Sequence, residues 1–200
     1  MFRQACSALT CCFLLLTCSV RAEDSPSSRE VNSGSEGREL FDLSSGSAAS
    51  QWRIVNDGVM GGRSSSRVER TGEGIRFSGT LSLANNGGFA SMRSRPKDLA
   101  LKSSDTIVLR VRGDGRTYTF NLYVPQRQMA FSYRMEFRTV AGQWAEVRLP
   151  VKNFVATSFG RVVQGMAFSP SQVNSVGILL GDKRPGAFAI EIDSIAVASD

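Results

Sequence analysis

The polar side chains best placed for chemistry crowd into one short stretch, Trp52 to Ser66, which reads WRIVNDGVMGGRSSS. Within it Asp57, Met60, Gly61, Gly62, Arg63 and Ser64 follow an aromatic anchor and a short apolar strand. Asn85 and Asn86 open a second loop of the same character, Asn-Asn-Gly-Gly. Asn, Asp and Gly tolerate the positive φ of tight turns, and serines and glycines expose hydroxyl and backbone donors. The two loops together could form a rim of amides and hydroxyls that holds a partner. The same residues also serve as ordinary turn formers, and both readings stand. No strong nucleophile here has a base beside it.

The remaining inventory narrows the chemistry further. All four cysteines, Cys6, Cys11, Cys12 and Cys18, fall in the first 22 residues, and the chain has no histidine. A chain that loses its leader therefore has no disulfides, no Cys/His zinc sites, no Cys nucleophile and no Ser-His-Asp triad. Asp57, Asp114, Asp182 and Asp193 carry the hard oxygens that calcium prefers, but they form no spaced loop signature and read as turn carboxylates. Paired acids for glycoside hydrolysis need a set separation across a cleft, which spacing along a chain does not supply. The expectation is a non-enzyme with neither metal nor cofactor.

A second candidate surface lies on the polar sides of predicted strands: Arg110, Arg112, Arg134, Arg138 and Arg148, with Glu136, Glu146 and Trp144. If these strands are neighbours in one sheet, they make an arginine-rich face with one aromatic platform. That face would suit an acidic protein patch or a sugar ring. The alternative is a solvated face with Trp144 half buried under arginine stems. Arginines outnumber lysines 20 to 4, which reflects either genome composition or selection for bidentate recognition of carboxylate, phosphate or sugar hydroxyls. The net charge is +6, or +4 once Arg3 and Arg21 leave with the leader, and no basic tract marks a nucleic-acid footprint.

Arg3, the apolar run Cys11 to Val20 and Val20-Arg21-Ala22 read as a secretory signal peptide cleaved near Ala22. The run is short of the roughly 20 residues that span a bilayer, so the mature chain is expected to have no transmembrane anchor. Leu15-Leu16-Thr17-Cys18 makes a poor lipoprotein box. Residues 23–39 are polar and read as a disordered linker. The protein is expected to be exported, with one folded domain over residues 40–200.

The elements that must position the candidate residues are strands. Ile75, Phe77, Gly79, Leu81 and Leu83 alternate with polar residues, as do Phe131, Tyr133, Met135 and Phe137, and Ala145, Val147 and Leu149. Ile107 to Val111 and Tyr118 to Val124 flank Gly113-Asp114-Gly115 and predict a hairpin. Arg112-Gly113-Asp114 is an adhesion-type tripeptide, read here as turn chemistry. Val176 to Leu180 precedes a Gly-Asp-Lys-Arg-Pro-Gly turn, and the apolar parity that follows shifts near Asp193 and Ser194, which predicts a β-bulge. With no sustained helical stripe, the fold class is all-β, an antiparallel β-sandwich or jelly roll.

Several motifs resemble one family. Trp52 with Asp57 to Ser64, Phe77-Ser78-Gly79, Asn85 to Ser91, Arg112 to Tyr118, Trp144 to Pro150 with Phe154, and Gly177 to Leu180 with Asp182-Lys183 are similar, in order, to the complex I intermediate-associated protein 30 family. The resemblance covers Leu40 to Val197. It implies a galactose-binding-domain-like sandwich and a non-enzymatic, protein-binding role, since mitochondrial members act as assembly chaperones for NADH:ubiquinone oxidoreductase. The export-like N-terminus departs from those members. An exported carbohydrate-binding module is the alternative, on the strength of the sandwich, the leader, Trp144 and the Asn85-Asn86 amides.

Overall fold

Period-two alternation sends one side of each strand to a core and the other outward. A computed structural model describes residues 37–125, 131–166 and 168–199. The expected leader, its expected cleavage site and the expected linker up to residue 36 lie outside the described residues. The strands are β1 (Arg38–Glu39), β2 (Trp52–Ile54), β3 (Ser65–Arg70), β4 (Ile75–Leu81), β5 (Ala90–Ser94), β6 (Asp105–Arg112) and β7 (Thr117–Tyr123). They continue as β8 (Phe131–Arg138), β9 (Trp144–Pro150), β10 (Val155–Ser158), β11 (Arg161–Val162), β12 (Ser175–Leu180) and β13 (Gly186–Ser199). The helical segments among the described residues are short 3-10 turns.

Two antiparallel sheets result. A six-stranded sheet runs β3-β4-β13-β6-β9, with β1 also on β13, and a seven-stranded sheet runs β11-β10-β8-β7-β12-β5-β2. Their inner faces meet on Phe77, Ile107, Leu109, Phe120, Leu122, Ile178, Leu180 and Ile190, each 0% exposed. Each such side chain stabilises the fold by about 1.5–3 kcal/mol through burial. In β4, Ile75, Phe77 and Leu81 are buried while Arg76 and Thr80 are exposed, as the alternation requires, but Ser78 is buried too, and Leu83 lies beyond the end of the strand at 42% exposure rather than on its inner side. The parity change near Asp193 is a register shift between Ile192 and Ser194. This all-β sandwich is the fold class expected from the sequence.

Two local expectations need correction. Arg38 and Glu39 do not belong to the linker: they form β1 against Val197 and Ala196, and an Arg38 guanidinium nitrogen donates to Leu99 O at 2.8 Å. The stretches around Gly113-Asp114-Gly115 do not form a hairpin, because β6 lies in the six-stranded sheet and β7 in the seven-stranded one. The turn is instead a crossing between sheets. Its partner is the β8–β9 connection, where Thr139 N donates to Arg116 O at 3.1 Å and Gly142 N to Gly113 O at 2.9 Å. A Cβ on Gly113 would sit 2.4 Å from Thr139, so only glycine allows the two crossings to touch.

Candidate functional site

Asp57 opens the single 3-10 turn Asp57–Met60 between β2 and β3, and Gly61 ends it with a left-handed φ of 87°. The carboxylate is buried at 1% exposure. Its Oδ1 accepts Ser64 N at 2.9 Å, and its Oδ2 accepts Ser64 Oγ at 2.6 Å, Gly88 N at 2.7 Å and Phe89 N at 3.3 Å. One side chain thus ties the β2–β3 loop to the β4–β5 loop. Burial pushes the Asp57 carboxyl up, but the hydrogen bonds from Ser64, Gly88 and Phe89 outweigh it and hold the group below its ordinary value of 3.8.

The glycines make this approach possible. A Cβ on Gly62 would lie 2.3 Å from Asp57 Cγ, and one on Gly87 would lie 2.5 Å from Asp57 Oδ2. Asn56 adds a parallel tie, its Oδ1 accepting Ser66 Oγ at 2.8 Å and Ser91 N at 3.3 Å. Asn85 and Asn86 hold φ of 55° and 57°, and Asn85 Nδ2 donates to Gly61 O at 3.3 Å. The structure therefore brings the eight loop residues read from the sequence to one place, but divides their roles. Asp57, Gly61, Gly62 and Ser64 build the frame, with no carboxylate oxygen of Asp57 left over for a ligand. Met60, Arg63, Asn85 and Asn86 are on the exposed side. Val59 and Met60 are 75% and 62% exposed, and Leu83 is 42% exposed.

The arginine candidates do not form one surface. Arg110, Arg112, Trp144 and Arg148 stand on the outer face of the six-stranded sheet, while Arg134 and Arg138 are on β8 of the other sheet. On the first face Trp144 lies under two guanidiniums, Arg112 at 4.9 Å and Arg110 at 5.4 Å from the ring centre. The arginines there are paired: Arg112 and Arg76 with Glu191 at 2.6 and 3.3 Å, Arg110 with Asp193 at 3.4 Å, Arg148 with Glu146 at 3.2 Å, and Arg67 with Glu69 at 2.7 Å. A sugar ring could use Trp144 only by displacing both arginines.

The remaining aspartates have structural partners. Asp182 takes a bidentate ion pair from Arg116, with Nε to Oδ2 at 2.9 Å and Nη2 to Oδ1 at 2.6 Å. Arg116 is 6% exposed and also donates to the carbonyls of Ala187 and Arg184. Asp114 accepts the Tyr118 hydroxyl at 3.1 Å and Ala189 N at 3.0 Å, so the Arg-Gly-Asp tripeptide is closed by its own fold. Burial, with the Asp114 charge, pushes the Tyr118 phenol far up. Among the described residues no cluster of three acidic, Cys or His ligands gathers, and no helix is long and apolar enough to cross a membrane.

The sequence profile of complex I intermediate-associated protein 30 matches residues 41–192. The chain belongs to that family. Mouse mitochondrial complex I intermediate-associated protein 30 is 30% identical over 174 residues, covering 75% of this chain and 52% of that protein. The probable Caenorhabditis elegans counterpart, also named as mitochondrial, is 31% identical over 145 residues, covering 62% and 42%. The chain thus spans about half the length of the curated relatives it matches. Among solved structures, a family 11 carbohydrate-binding module from Clostridium thermocellum in complex with a mixed-linked tetrasaccharide superposes with a TM-score of 0.62 at 11% identity. It covers 83% of this chain and 98% of that one. This is a likeness of fold.

In this member of the complex I intermediate-associated protein 30 family, the sequence singles out Met60 but not Val59 and Leu83, which complete the exposed apolar surface of the loop pair. Two apolar residues inside a Gly-Asn-Asp loop were the available signal. Nor does the sequence single out Asn56 and Gly87, whose roles appear only when the two loops meet.

Proposed function

We propose that this chain is a non-catalytic protein-binding module of the assembly-factor kind, and that the Asp57-fastened loop pair is its contact surface. The observation that carries the reading is the contrast within that pair. Four hydrogen bonds on a buried carboxylate hold the frame, and on it Val59 and Met60 stand 75% and 62% exposed. A rigid frame lowers the ordering cost of binding, and exposed apolar side chains supply the burial that drives it. Family membership supports a protein partner, because the relatives are named for association with an intermediate of complex I. Export is part of the proposal, on the leader-like first 22 residues; the relatives are named as mitochondrial.

The test is affinity capture from membrane extracts with the tagged full chain and with a Val59→Asp/Met60→Asp variant. Each side chain is expected to lose about 1.5–3 kcal/mol of burial in the complex. Partners recovered by the wild type should therefore drop at least about tenfold with a variant of unchanged melting temperature. Equal recovery by both, or no protein above background, overturns the reading. Of the features behind the carbohydrate alternative, the sandwich, the leader, Trp144 and the Asn85-Asn86 amides, the aromatic platform is weakened, because Arg110 and Arg112 lie over the Trp144 ring.

A further inference from the structure

The outer face of the seven-stranded sheet carries a line of residues that the loop site does not use. Arg53 pairs with Arg93, Arg93 with Gly177, Gly177 with Asn121, Asn121 with Arg134, and Arg134 with Val155. Residues directly opposite share a face, so one line crosses six adjacent strands. The alternate residues Met92, Phe120, Leu122 and Ile178 are 0% exposed in the core, which puts the line on the outside.

The charges on this face differ from those on the other sheet. None of Arg53, Arg93, Arg134 and Arg138 forms an ion pair among the described residues, whereas Arg67, Arg76, Arg110, Arg112 and Arg148 each have a carboxylate. Glu136 is the one acid on the described strands of this face. Two arginines opposite each other, Arg53 and Arg93, repel. Arg93 Nε is also buried without a hydrogen-bond partner among the described residues, a state that costs free energy.

The local packing holds Arg93 in place. Its guanidinium lies 4.4 Å from the centre of the Tyr123 ring. Gly177 clears the ground beneath, since a Cβ there would meet Tyr123 Cε2 at 3.0 Å and Arg93 Cγ at 3.3 Å. The floor beside it is polar and internally bonded: Ser132 Oγ donates to Asn121 Oδ1 at 3.0 Å, and Thr157 Oγ1 to Ser132 O at 3.1 Å. At the far side Arg134 donates to Gly160 O at 2.7 Å, next to Phe159, which is 77% exposed. Val155 and Val162 are 46% and 63% exposed.

We propose that this face docks an extended acidic polypeptide segment of a partner protein, laid across the strands, with its carboxylates on Arg53, Arg93 and Arg134. The proposal rests on the reading of the chain as a protein-binding module and adds a second surface to it. A neutral sugar would leave these guanidiniums without counter-charge, and Arg93 covers the Tyr123 plane, so the exposed ring on this side is Phe159 at the edge. The apolar edge of Val155, Phe159 and Val162 favours a polypeptide, with side chains of both kinds, over a polyanionic glycan. Arg93 and Arg134 stand three strand spacings apart, about 14 Å, which an extended peptide covers in about four residues. The matching segment therefore carries acids at positions four apart, on one side of its backbone.

The experiment is fluorescence anisotropy with the full chain and a labelled ten-residue peptide bearing Glu at every second position, alternating with Val. Polygalacturonate is the competitor. The wild type should bind with an affinity that falls as salt rises. Arg93→Gln/Arg134→Gln should weaken binding by about tenfold or more, while Arg110→Gln/Arg112→Gln on the other sheet should change it by less than about twofold. If Arg93→Gln fails to fold, Arg53→Gln/Arg134→Gln, which leaves the Arg93–Tyr123 stack intact, carries the same expectation. No binding, equal loss in both variant pairs, or displacement by polygalacturonate at far lower carboxylate concentration than the peptide overturns the proposal. Val59→Asp/Met60→Asp should leave this binding unchanged, so failure of the loop reading and failure of this one are separable.

Discussion

Replacing Asp57 by Asn keeps the side chain's shape and removes one acceptor oxygen. In the native fold Oδ2 accepts three donors and Oδ1 accepts Ser64 N. An amide oxygen in the Oδ2 position retains the first three, but its NH2 then faces the Ser64 N–H. That leaves a buried donor unpaired, at a cost of about 1–3 kcal/mol. The three retained bonds lose charge assistance, which removes about 1–2 kcal/mol more in total. A loss of about 2–5 kcal/mol should lower the melting temperature by about 4–20 °C for a domain of this size. The pH dependence supplies an internal check. Asp57 titrates below its ordinary 3.8 in the fold, so its contribution is complete above that pH and is lost as pH falls through the folded value. The gap between wild type and Asp57→Asn should therefore be largest near neutrality and narrow below about pH 4. Asp182 is also depressed, by Arg116 against its burial, but it is common to both proteins and cancels in the difference. Calorimetry of the full chain from pH 7 down to about pH 2.5 measures this. A variant melting within about 1 °C of wild type at pH 7, or a gap that does not narrow in acid, refutes the reasoning.

Gly62→Ala places a Cβ 2.3 Å from Asp57 Cγ and should cost about 1–3 kcal/mol by overpacking. Gly61→Ala meets nothing within 4 Å and bears only its φ of 87°, so about 1–2 kcal/mol is expected; in urea, Gly62→Ala losing less than Gly61→Ala would deny the close approach. Arg116→Met strands the Asp182 carboxylate and should cost about 3–5 kcal/mol, with part regained in Arg116→Met/Asp182→Leu; strictly additive denaturation free energies would show that the pair does not act as a unit. Mass spectrometry of the endogenous chain, with fractionation, should find Ala22 removed and the protein outside the cytoplasm; an uncleaved or mitochondrial chain would reverse the export reading.

Burial by face was legible along the chain, because period two needs only local sequence. The burial of Ile75, Phe77 and Leu81 in β4, that of Phe131, Tyr133 and Phe137 in β8, and the bulge between Ile192 and Ser194 follow from it, while Ser78 and Ser132 are buried against it. Neighbour relations were not. Gly113-Asp114-Gly115 has the composition of a hairpin turn, yet the hydroxyl of Thr139, donating to Arg116 O at 3.0 Å and accepting Gly115 N at 3.1 Å, fastens it as a crossing. The loop residues were legible but not the division of work among them: Asp57, a member of the candidate rim and a turn carboxylate by its neighbours, is the buried tie, and Gly62, a turn former, also provides clearance.

The same limit governs the arginines. A net charge of +6 counts them without saying which are already satisfied. On the six-stranded sheet, Arg110 and Arg112 reach Asp193 and Glu191 only because β13 lies beside β6. On the seven-stranded sheet, Arg53, Arg93 and Arg134 come into line only through the pairings of β5, β12 and β7 between them. No carboxylate on those strands faces the first two. The chain therefore spends its acids on one face and leaves the other cationic. Coulomb attraction to an acidic segment is then concentrated on the unpaired face, where the Arg93–Tyr123 stack already holds one guanidinium in place.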